Sequence, residues 1–345
     1  MSKLNLALLV LLGAQLAFLI GDKLLIGDAH RPRVMIEGDR LFPALATDAI
    51  VELELRRDVG DTRLTRGAGG WVVASDEDVI ADATMVETAL DTLVAFAPGP
   101  VVAENAAKHV DFGVAGGDAI EVIARAAGGK EVARVIIGKA TSDWRGVYAR
   151  WPHDSDEVML ISGNVRIAFD KESGARGAWR DKTIIGLDAL SIRGFEITKP
   201  DDEIVVIERL VLPSTEEGRE GVPIPTEQDD WRLVRPVDGL MSRYAGNSLA
   251  ATIADLDAER FHFGKEPLAE LGLEPPVARV RTTLDNDRVL EIEIGDEVDS
   301  RRFVRVPGRD DIYVVPSYRL FGFLDKGKKM LKETRVGGGA DEDSG

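Results

Sequence analysis

The feature that most constrains this chain is an internal duplication, in which one pattern of strands and a helix occurs twice. The first copy opens at residues 50–56, where apolar and polar residues alternate as in a strand with one buried face. The second copy opens at residues 192–198, where Phe195 and Ile197 alternate with polar residues. A repeated pattern of this kind indicates two copies of one structural unit.

Each copy continues with a strand that begins at a tryptophan, Trp71 in the first and Trp231 in the second. The tryptophans are 160 positions apart, whereas the opening strands are 142 positions apart. The second copy therefore contains additional residues before its tryptophan, and they fall at about 212–227, where Pro and Glu are frequent. This composition predicts an exposed inserted loop.

A helix follows in each copy. Thr84 and Glu87 have the spacing of a capping box, which predicts the start of the first helix. In the second copy, Leu249, Ile253 and Leu256 occur at positions i, i+4 and i+7. Such an apolar stripe is typical of a helix that packs against a sheet.

The remaining segments also correspond, and short turn-forming sequences separate them. The matching pairs are residues 112–114 with 271–273, 135–138 with 292–295, and 158–161 with 312–315. Short connections favour antiparallel neighbours, so we predict an α+β fold built as a tandem repeat of two similar, mainly antiparallel sheet-plus-helix units.

The predicted organisation places a transmembrane helix before the two units. We expect a transmembrane anchor at residues 1–27, a first unit at 45–188, a second unit at 189–335 and a disordered tail at 336–345.

The anchor is predicted from the uncharged, Leu-rich and Ala-rich residues 4–20. At about 1.5 Å per residue this segment is just long enough, with Leu24 to Ile26, to reach across about 30 Å of hydrocarbon. A cleaved signal peptide is the alternative, but no small-x-small cleavage triplet follows the apolar stretch. We expect a single-pass protein of the cytoplasmic membrane whose bulk lies on the extracytoplasmic side, since large domains are translocated largely regardless of charge.

The charge and the cysteine content exclude several functional classes. The formal net charge is −17, so the overall field repels phosphate backbones and anionic lipid surfaces, and we expect no nucleic-acid partner. The chain has no cysteine, which excludes disulfides, thiolate metal sites and cysteine nucleophiles.

Sequence patterns for catalysis or cofactor binding are absent. The four histidines do not form a metal-binding spacing, and neither a complete P-loop nor a G-x-S-x-G nucleophile elbow occurs. Acidic pairs such as Asp285 and Asp287 lack the other ligands of a calcium loop and are expected on the solvated surface. We therefore expect no catalytic residues, no metal and no cofactor.

One local cluster is a candidate binding site. Trp144, Tyr148, Trp151 and His153 lie close together in a chain with 6% aromatic residues. Exposed rings could stack on a sugar or anchor a protein partner, while core packing is the competing interpretation. On a strand, Tyr148 and Trp151 would face opposite sides, so only part of the cluster can share one surface.

Several motifs resemble those of the bacterial domain-of-unknown-function family 4340. They are the Gly-Gly-Trp at residues 69–71, Ala-Asp-Ala at 81–83 before a helix, Arg-Asp-Lys at 180–182, and Gly-Leu-Glu-Pro-Pro at 272–276. The resemblance covers about residues 50–333. The chain departs from the family pattern at residues 114–117, where Val-Ala-Gly-Gly replaces Gly-Leu-x-Pro-Pro.

The resemblance implies a bacterial envelope protein. Members of the family are often encoded near ABC-2 type permeases and are similar to domains of gliding-motility auxiliary proteins. No catalytic residues are established for the family.

Together these observations lead to one functional hypothesis and two alternatives. We expect a non-enzymatic accessory module of an ABC-2 type transport complex, with a membrane permease and its ATPase as partners implied by the resemblance. The first alternative is a module that binds envelope glycans through the Trp144 cluster. The second is an enzyme with an unfamiliar carboxylate site.

Overall fold

The computed structural model describes residues 40–152, 156–171, 175–201, 203–211 and 225–324. Within these residues the chain forms mostly antiparallel sheets and three helices, so the predicted α+β class is confirmed. None of the helices in this part of the chain has the length and apolar content that crossing a bilayer requires. The predicted anchor and the predicted disordered tail both lie outside the described residues.

The first unit is one nine-stranded antiparallel sheet with a helix. Its elements are β1 (Glu52–Arg56), β2 (Thr62–Gly67), β3 (Gly70–Val73), β4 (Val79–Ile80), α1 (Ala83–Val94), β5 (Val101–Glu104), β6 (Ile120–Arg125), β7 (Glu131–Ala140), β8 (Gly146–Arg150) and β9 (Glu157–Ser162). The strand order is β4-β3-β2-β1-β6-β7-β8-β9-β5.

The second unit contains a nine-stranded sheet, a two-stranded sheet and two helices. Its elements are β10 (Thr183–Gly186), β11 (Ile192–Thr198), β12 (Ile204–Leu210), β13 (Asp230–Arg235), β14 (Gly239–Met241), α2 (Arg243–Ala254), β15 (Asp255–Asp257), β16 (Arg260–His262), β17 (Ala278–Leu284), β18 (Val289–Val298), β19 (Arg301–Arg305), β20 (Ile312–Pro316) and α3 (Ser317–Leu324). The large sheet has the order β14-β13-β12-β11-β17-β18-β19-β20-β16, and β10 pairs with β15.

The two large sheets have the same connectivity. In each, the first strand is central, the next three extend to one side, and the chain passes through a helix to the far edge. It then returns beside the first strand, at β6 in the first unit and at β17 in the second. Each unit therefore has its own sheet, and the two halves share one topology, as the internal duplication predicts.

The boundary between the units differs from the predicted one. The chain divides at Arg180, and Asp181 begins the second unit. The prediction placed the start of that unit at residue 189. The earlier start has a structural reason, because β10 pairs with β15 of the second unit.

The core of each unit lies between the helix and one face of the large sheet. Helix α1 buries Val86, Ala89, Leu90 and Leu93. In the second unit Leu249 and Ile253 of α2 lie in the same core as Trp231, whose ring stacks on Phe195 at 5.8 Å. Each large side chain buried in this way contributes about 1.5–3 kcal/mol.

Two details of the helix prediction are wrong. The N-cap of α1 is Asp82, whose side chain accepts a hydrogen bond from the Met85 N–H at 2.9 Å, and Thr84 lies within the helix. The bridge between Ala81 and Arg180 holds the chain extended up to the cap, so the helix begins at Ala83. In the second unit, Leu256 belongs to strand β15 because α2 ends at Ala254, although its side chain is buried.

A pair of close backbone contacts occurs at the same place in both units. A Cβ atom on Gly138 would lie 2.4 Å from the carbonyl oxygen of Phe112, and one on Gly295 would lie 2.3 Å from that of Leu271. Neither distance can accommodate a side chain. The correspondence supports the predicted alignment of these segments and explains why both strands carry glycine here.

Candidate functional site

The candidate site predicted around Trp144 is a hairpin loop between β7 and β8. The Trp144 side chain is 69% exposed, the largest exposed fraction among the described tryptophans. Thr141 and Gly146 close the loop, since the Thr141 N–H donates to the Gly146 carbonyl at 2.8 Å. The loop therefore presents an indole ring to solvent from the end of a rigid sheet.

Hydrogen bonds within the loop fix its conformation. The Thr141 hydroxyl donates to Asp143 Oδ1 at 2.6 Å, and the Arg145 N–H donates to the same oxygen at 3.1 Å. The Gly146 N–H donates to Thr141 Oγ1 at 3.1 Å. The bond from the Thr141 hydroxyl, followed by that from the Arg145 backbone, lowers the pKa of Asp143, so this carboxylate is ionised at neutral pH and keeps its role as acceptor.

Trp144 itself has a strained backbone. Its φ is 59°, in the left-handed region that residues with a Cβ atom rarely occupy. Its N–H donates to the Thr141 carbonyl at 2.9 Å, which holds this conformation. Positive φ also occurs at Asp299 and Ser300, between β18 and β19 of the second unit, so this conformation belongs to the turn, and the exposed indole is what distinguishes Trp144.

The other aromatic residues of the predicted cluster lie elsewhere. Tyr148 packs against Phe112 at 4.7 Å between ring centroids, on the sheet face that carries a small apolar cluster. Trp151 packs edge-on against Phe42 at 5.7 Å, beside the main core on the opposite face. His153 lies outside the described residues. Of the predicted set, the structure therefore places Trp144 alone on an exposed surface, among the described members.

A second site, which the sequence did not predict, is a cleft of about 320 Å³ in the second unit. Lys199, Arg279, Glu293 and Arg305 line this cleft together with three prolines. Glu293 is buried, and its two oxygens accept from Arg279 Nη2 at 2.9 Å and from Arg305 Nε at 2.7 Å. Adjacent strands position these groups, since Glu293 on β18 is the register partner of Arg279 on β17 and of Arg305 on β19.

The first unit has an apolar residue where Glu293, the centre of this ion cluster, stands in the second. Residues 135–138 correspond to 292–295, so Ile136 occupies the place of Glu293 and belongs to the small apolar cluster. A glutamate at an isoleucine position in two aligned strands was the signal that could have revealed the cleft. Each of its three cations already has an acidic partner, since Lys199 also pairs with Glu203 at 3.4 Å, and this favours a structural role.

A metal centre was not predicted, and the described residues contain no group of three or more His, Asp or Glu arranged to hold an ion. The features that remain are the exposed Trp144 hairpin of the first unit and the ion-lined cleft of the second.

Comparison with known proteins identifies a family. The family model for a domain of unknown function, DUF4340, matches residues 71–229 and 231–334. The two matched segments begin at Trp71 and Trp231, which lead corresponding strands of the two units. Comparison with curated proteins and with solved structures gave no match. Because the matched segments cover more than half of the chain, this protein belongs to the DUF4340 family.

Proposed function

We propose that this chain is a non-enzymatic, membrane-anchored interaction module that contacts a protein partner through the Trp144 hairpin. The observation that carries the proposal is the 69% exposure of Trp144 on a turn braced by hydrogen bonds. Tryptophan is among the residues most often found at the energetic centre of protein interfaces. A braced turn loses little conformational freedom on binding, so more of the contact energy appears as affinity.

The hairpin at the corresponding place in the second unit lacks this feature. It connects β18 to β19, and its tip carries Asp299 and Ser300 with Val298 beside them. Val298 is 54% exposed, so this tip is also open to solvent. Because the two units share a topology, the tryptophan is an addition specific to the first unit. This difference supports a binding role over a structural role that both units would share.

The cellular setting in the proposal rests on the sequence and on the family resemblance. Residues 4–20 would anchor the chain in the cytoplasmic membrane as a single span, with the two units on the extracytoplasmic side. The partner would be an ABC-2 type permease with its ATPase. The likeness to gliding-motility auxiliary proteins stays a prediction.

Site-specific cross-linking in native membranes tests the proposal. A photoreactive phenylalanine analogue replaces Trp144 in one full-length variant and Val298 in a matched control. We expect the residue-144 variant to form an adduct with a polytopic membrane protein, while the residue-298 variant does not. Adducts of equal yield from both positions, or repeated recovery of the chain alone from position 144, would overturn the proposal.

The exposed indole also keeps the glycan-binding alternative open, because a tryptophan face can stack on a sugar ring. Titration of the full chain with cell-wall fragments, followed by tryptophan fluorescence, tests it. A quench that disappears in Trp144→Phe would support this function. An unchanged signal would leave the protein partner as the occupant of the hairpin.

A further inference from the structure

Three exposed apolar side chains lie at one end of the first sheet, each in a different loop. Val59 is 70% exposed in the turn between β1 and β2, Ile167 is 64% exposed in the turn after β9, and Trp144 is in the β7–β8 hairpin. Strand register places these loops at the same end, because β1 ends where β6 begins and β7 ends beside that point. β9 also ends there, since Ser162 pairs with Gly146 at the start of β8. From β1 to β9 the sheet is about 20 Å wide, so the three loops border one surface.

Backbone contacts join the Trp144 hairpin to the turn that carries Ile167. The Gly163 N–H donates to the carbonyl of Arg145 at 2.8 Å, next to Trp144 in sequence. The turn continues as a short 3-10 helix (Val165–Ala168) that contacts both β7 and β8. Trp144 and Ile167 therefore project from two segments that are bound to each other.

A buried ion cluster joins the turn of Val59 to the same 3-10 helix. The side chain of Arg57, two residues before Val59, is only 4% exposed. Its guanidinium donates to Asp170 Oδ1 at 2.9 Å and to the Phe169 carbonyl. Asp170 Oδ2 accepts from Arg166 Nε at 2.9 Å. One carboxylate thus bridges two arginines, and the three loops form one preorganised surface.

The second unit has the same anchoring contact but a polar turn. Lys199, which follows β11, donates to the carbonyl of Leu324 at 3.2 Å, as Arg57 does to a carbonyl in the segment after β9. Two residues further on, the second unit has an exposed Asp201 where the first has Val59. Because the anchor is common to both units and the valine is not, packing of the turn does not require an apolar residue at its tip.

The charged side chains that hold these loops together are used inside the molecule. Arg166 Nη1 donates to the Gly138 carbonyl at 2.8 Å, and Asp143 accepts its hydrogen bonds from the hairpin itself. A sugar site would direct several polar groups towards the ligand. An indole and two aliphatic side chains on one rigid surface instead have the composition of the apolar centre of a protein interface.

On the basis of the proposed partner contact at Trp144, we propose that Val59 and Ile167 belong to the same contact, so that the three loops bind an apolar patch on a folded protein. The indole would fill a pocket of the partner, and the two aliphatic side chains would exclude water around it. A surface of this width fits within the area of about 800 Å² that each partner contributes to a standard interface.

Photo-cross-linking at the two new positions tests this surface. The photoreactive phenylalanine analogue replaces Val59 in one full-length variant and Ile167 in another, and adducts are collected in native membranes beside those of the residue-144 variant. The matched control is Ile80, which is 68% exposed on β4, at the far edge of the same sheet. Urea midpoints verify that each variant folds.

We expect positions 59 and 167 to form adducts with the same protein that position 144 captures, while position 80 does not. Val59→Ser and Ile167→Ser should each lower recovery of that protein about fivefold in co-purification. Adducts at position 144 without adducts at 59 and 167 would overturn the larger surface and leave the Trp144 contact standing. The absence of adducts at all three positions would overturn both, and an equal yield at position 80 would overturn the larger surface.

Discussion

Arg209 stacks over the ring of Trp231, with its guanidinium carbon 4.7 Å from the ring centroid. The two residues are direct register partners on β12 and β13. The first unit repeats this relationship, since Arg66 pairs with Trp71 in register and lies 5.1 Å from that ring. Each arginine also donates to the carbonyl of a residue in the turn before the first strand, Arg209 to Ala189 and Arg66 to Thr47.

The two arginines differ in burial, which gives a matched pair of variants. Arg209 is buried, and burial lowers the pKa of its guanidinium, whereas Arg66 is exposed. We expect Arg209→Ala to lower the free energy of unfolding by about 2–3 kcal/mol, because a buried charged hydrogen bond and a cation–π contact are lost. Arg66→Ala should lower the free energy of unfolding by only about 0.5–1 kcal/mol. Urea denaturation measures the unfolding free energy of both variants. Equal losses would contradict the larger contribution expected from the buried arginine.

Gly138 on β7 and Gly295 on β18 should not tolerate a methyl group. Gly138→Ala and Gly295→Ala each place Cβ within 2.4 Å of a backbone carbonyl oxygen, so the turn segment that carries this carbonyl must move away from the strand. We expect each variant to lose about 2–3 kcal/mol of unfolding free energy, as overpacked cores do. Gly69→Ala is the control, because its Cβ would meet nothing within 4 Å. A stable Gly295→Ala variant would argue against the close approach.

Gly246 in helix α2 allows packing and helix propensity to be distinguished. Propensity alone predicts that Gly246→Ala stabilises the helix by about 1 kcal/mol. The structure predicts the opposite, since the new Cβ would lie 2.1 Å from the Trp231 ring. We expect a net loss of at least about 2 kcal/mol in thermal or urea unfolding. The control is Ala251→Gly, at an exposed position of the same helix, which measures the effect of helix propensity without a change in packing. A Gly246→Ala variant more stable than the native chain would contradict the predicted clash with Trp231.

Glu54 should make stability depend on pH in the acid range. Burial by itself raises the pKa of Glu54, but hydrogen bonds from Arg56 at 2.9 Å and Arg125 at 2.7 Å outweigh it and lower this pKa below 4.5. A lowered folded-state pKa stabilises the fold above the unfolded value, and this contribution is lost as pH falls through the folded value.

The matched variant for this effect is Glu54→Gln, which cannot ionise. We expect the difference in unfolding free energy between the native chain and Glu54→Gln to be largest near neutral pH and to shrink as pH falls below 4.5. Urea midpoints measured between about pH 3 and 7 give this difference. A difference that is constant across the range would show that ionisation of Glu54 does not contribute.

The strained turn at Trp144 predicts opposite effects on stability and on binding. Glycine adopts a positive φ without cost, so Trp144→Gly should leave the unfolding free energy unchanged or raise it by about 0.5–1 kcal/mol. The same variant should lose the membrane partner in co-purification from native membranes. A variant that is destabilised by more than about 1 kcal/mol would instead identify Trp144 as a packing residue.

Local sequence patterns predicted the strands well where one face is buried. The alternation at residues 192–198 corresponds to the full extent of β11, and the two tryptophan-led strands correspond to β3 and β13. The same patterns failed at element ends. Leu256 continued the helical spacing but lies in a strand, because the helix ends where β15 begins to pair.

The cleft and the surroundings of Trp144 were harder to predict, because they depend on contacts between strands. Glu293 meets Arg279 and Arg305 across neighbouring strands, from positions 14 and 12 residues away in sequence. Register determines which of many charged residues become neighbours, and composition carries no information about it. Trp144 was identified from its residue type, but its separation from Tyr148 and Trp151 follows from the turn conformation and the alternation of the strand.

The placement of the first strand at the centre of each sheet has a consequence for synthesis on the ribosome. Residues 52–56 pair on one side with β2, but their other edge is filled only by residues 121–125. In the second unit, one edge of residues 192–198 likewise stays unpaired until residues 279–284 have been synthesised. Throughout that interval the nascent chain carries a central strand with one unpaired edge, and synthesis of the returning strand is the step that covers this edge.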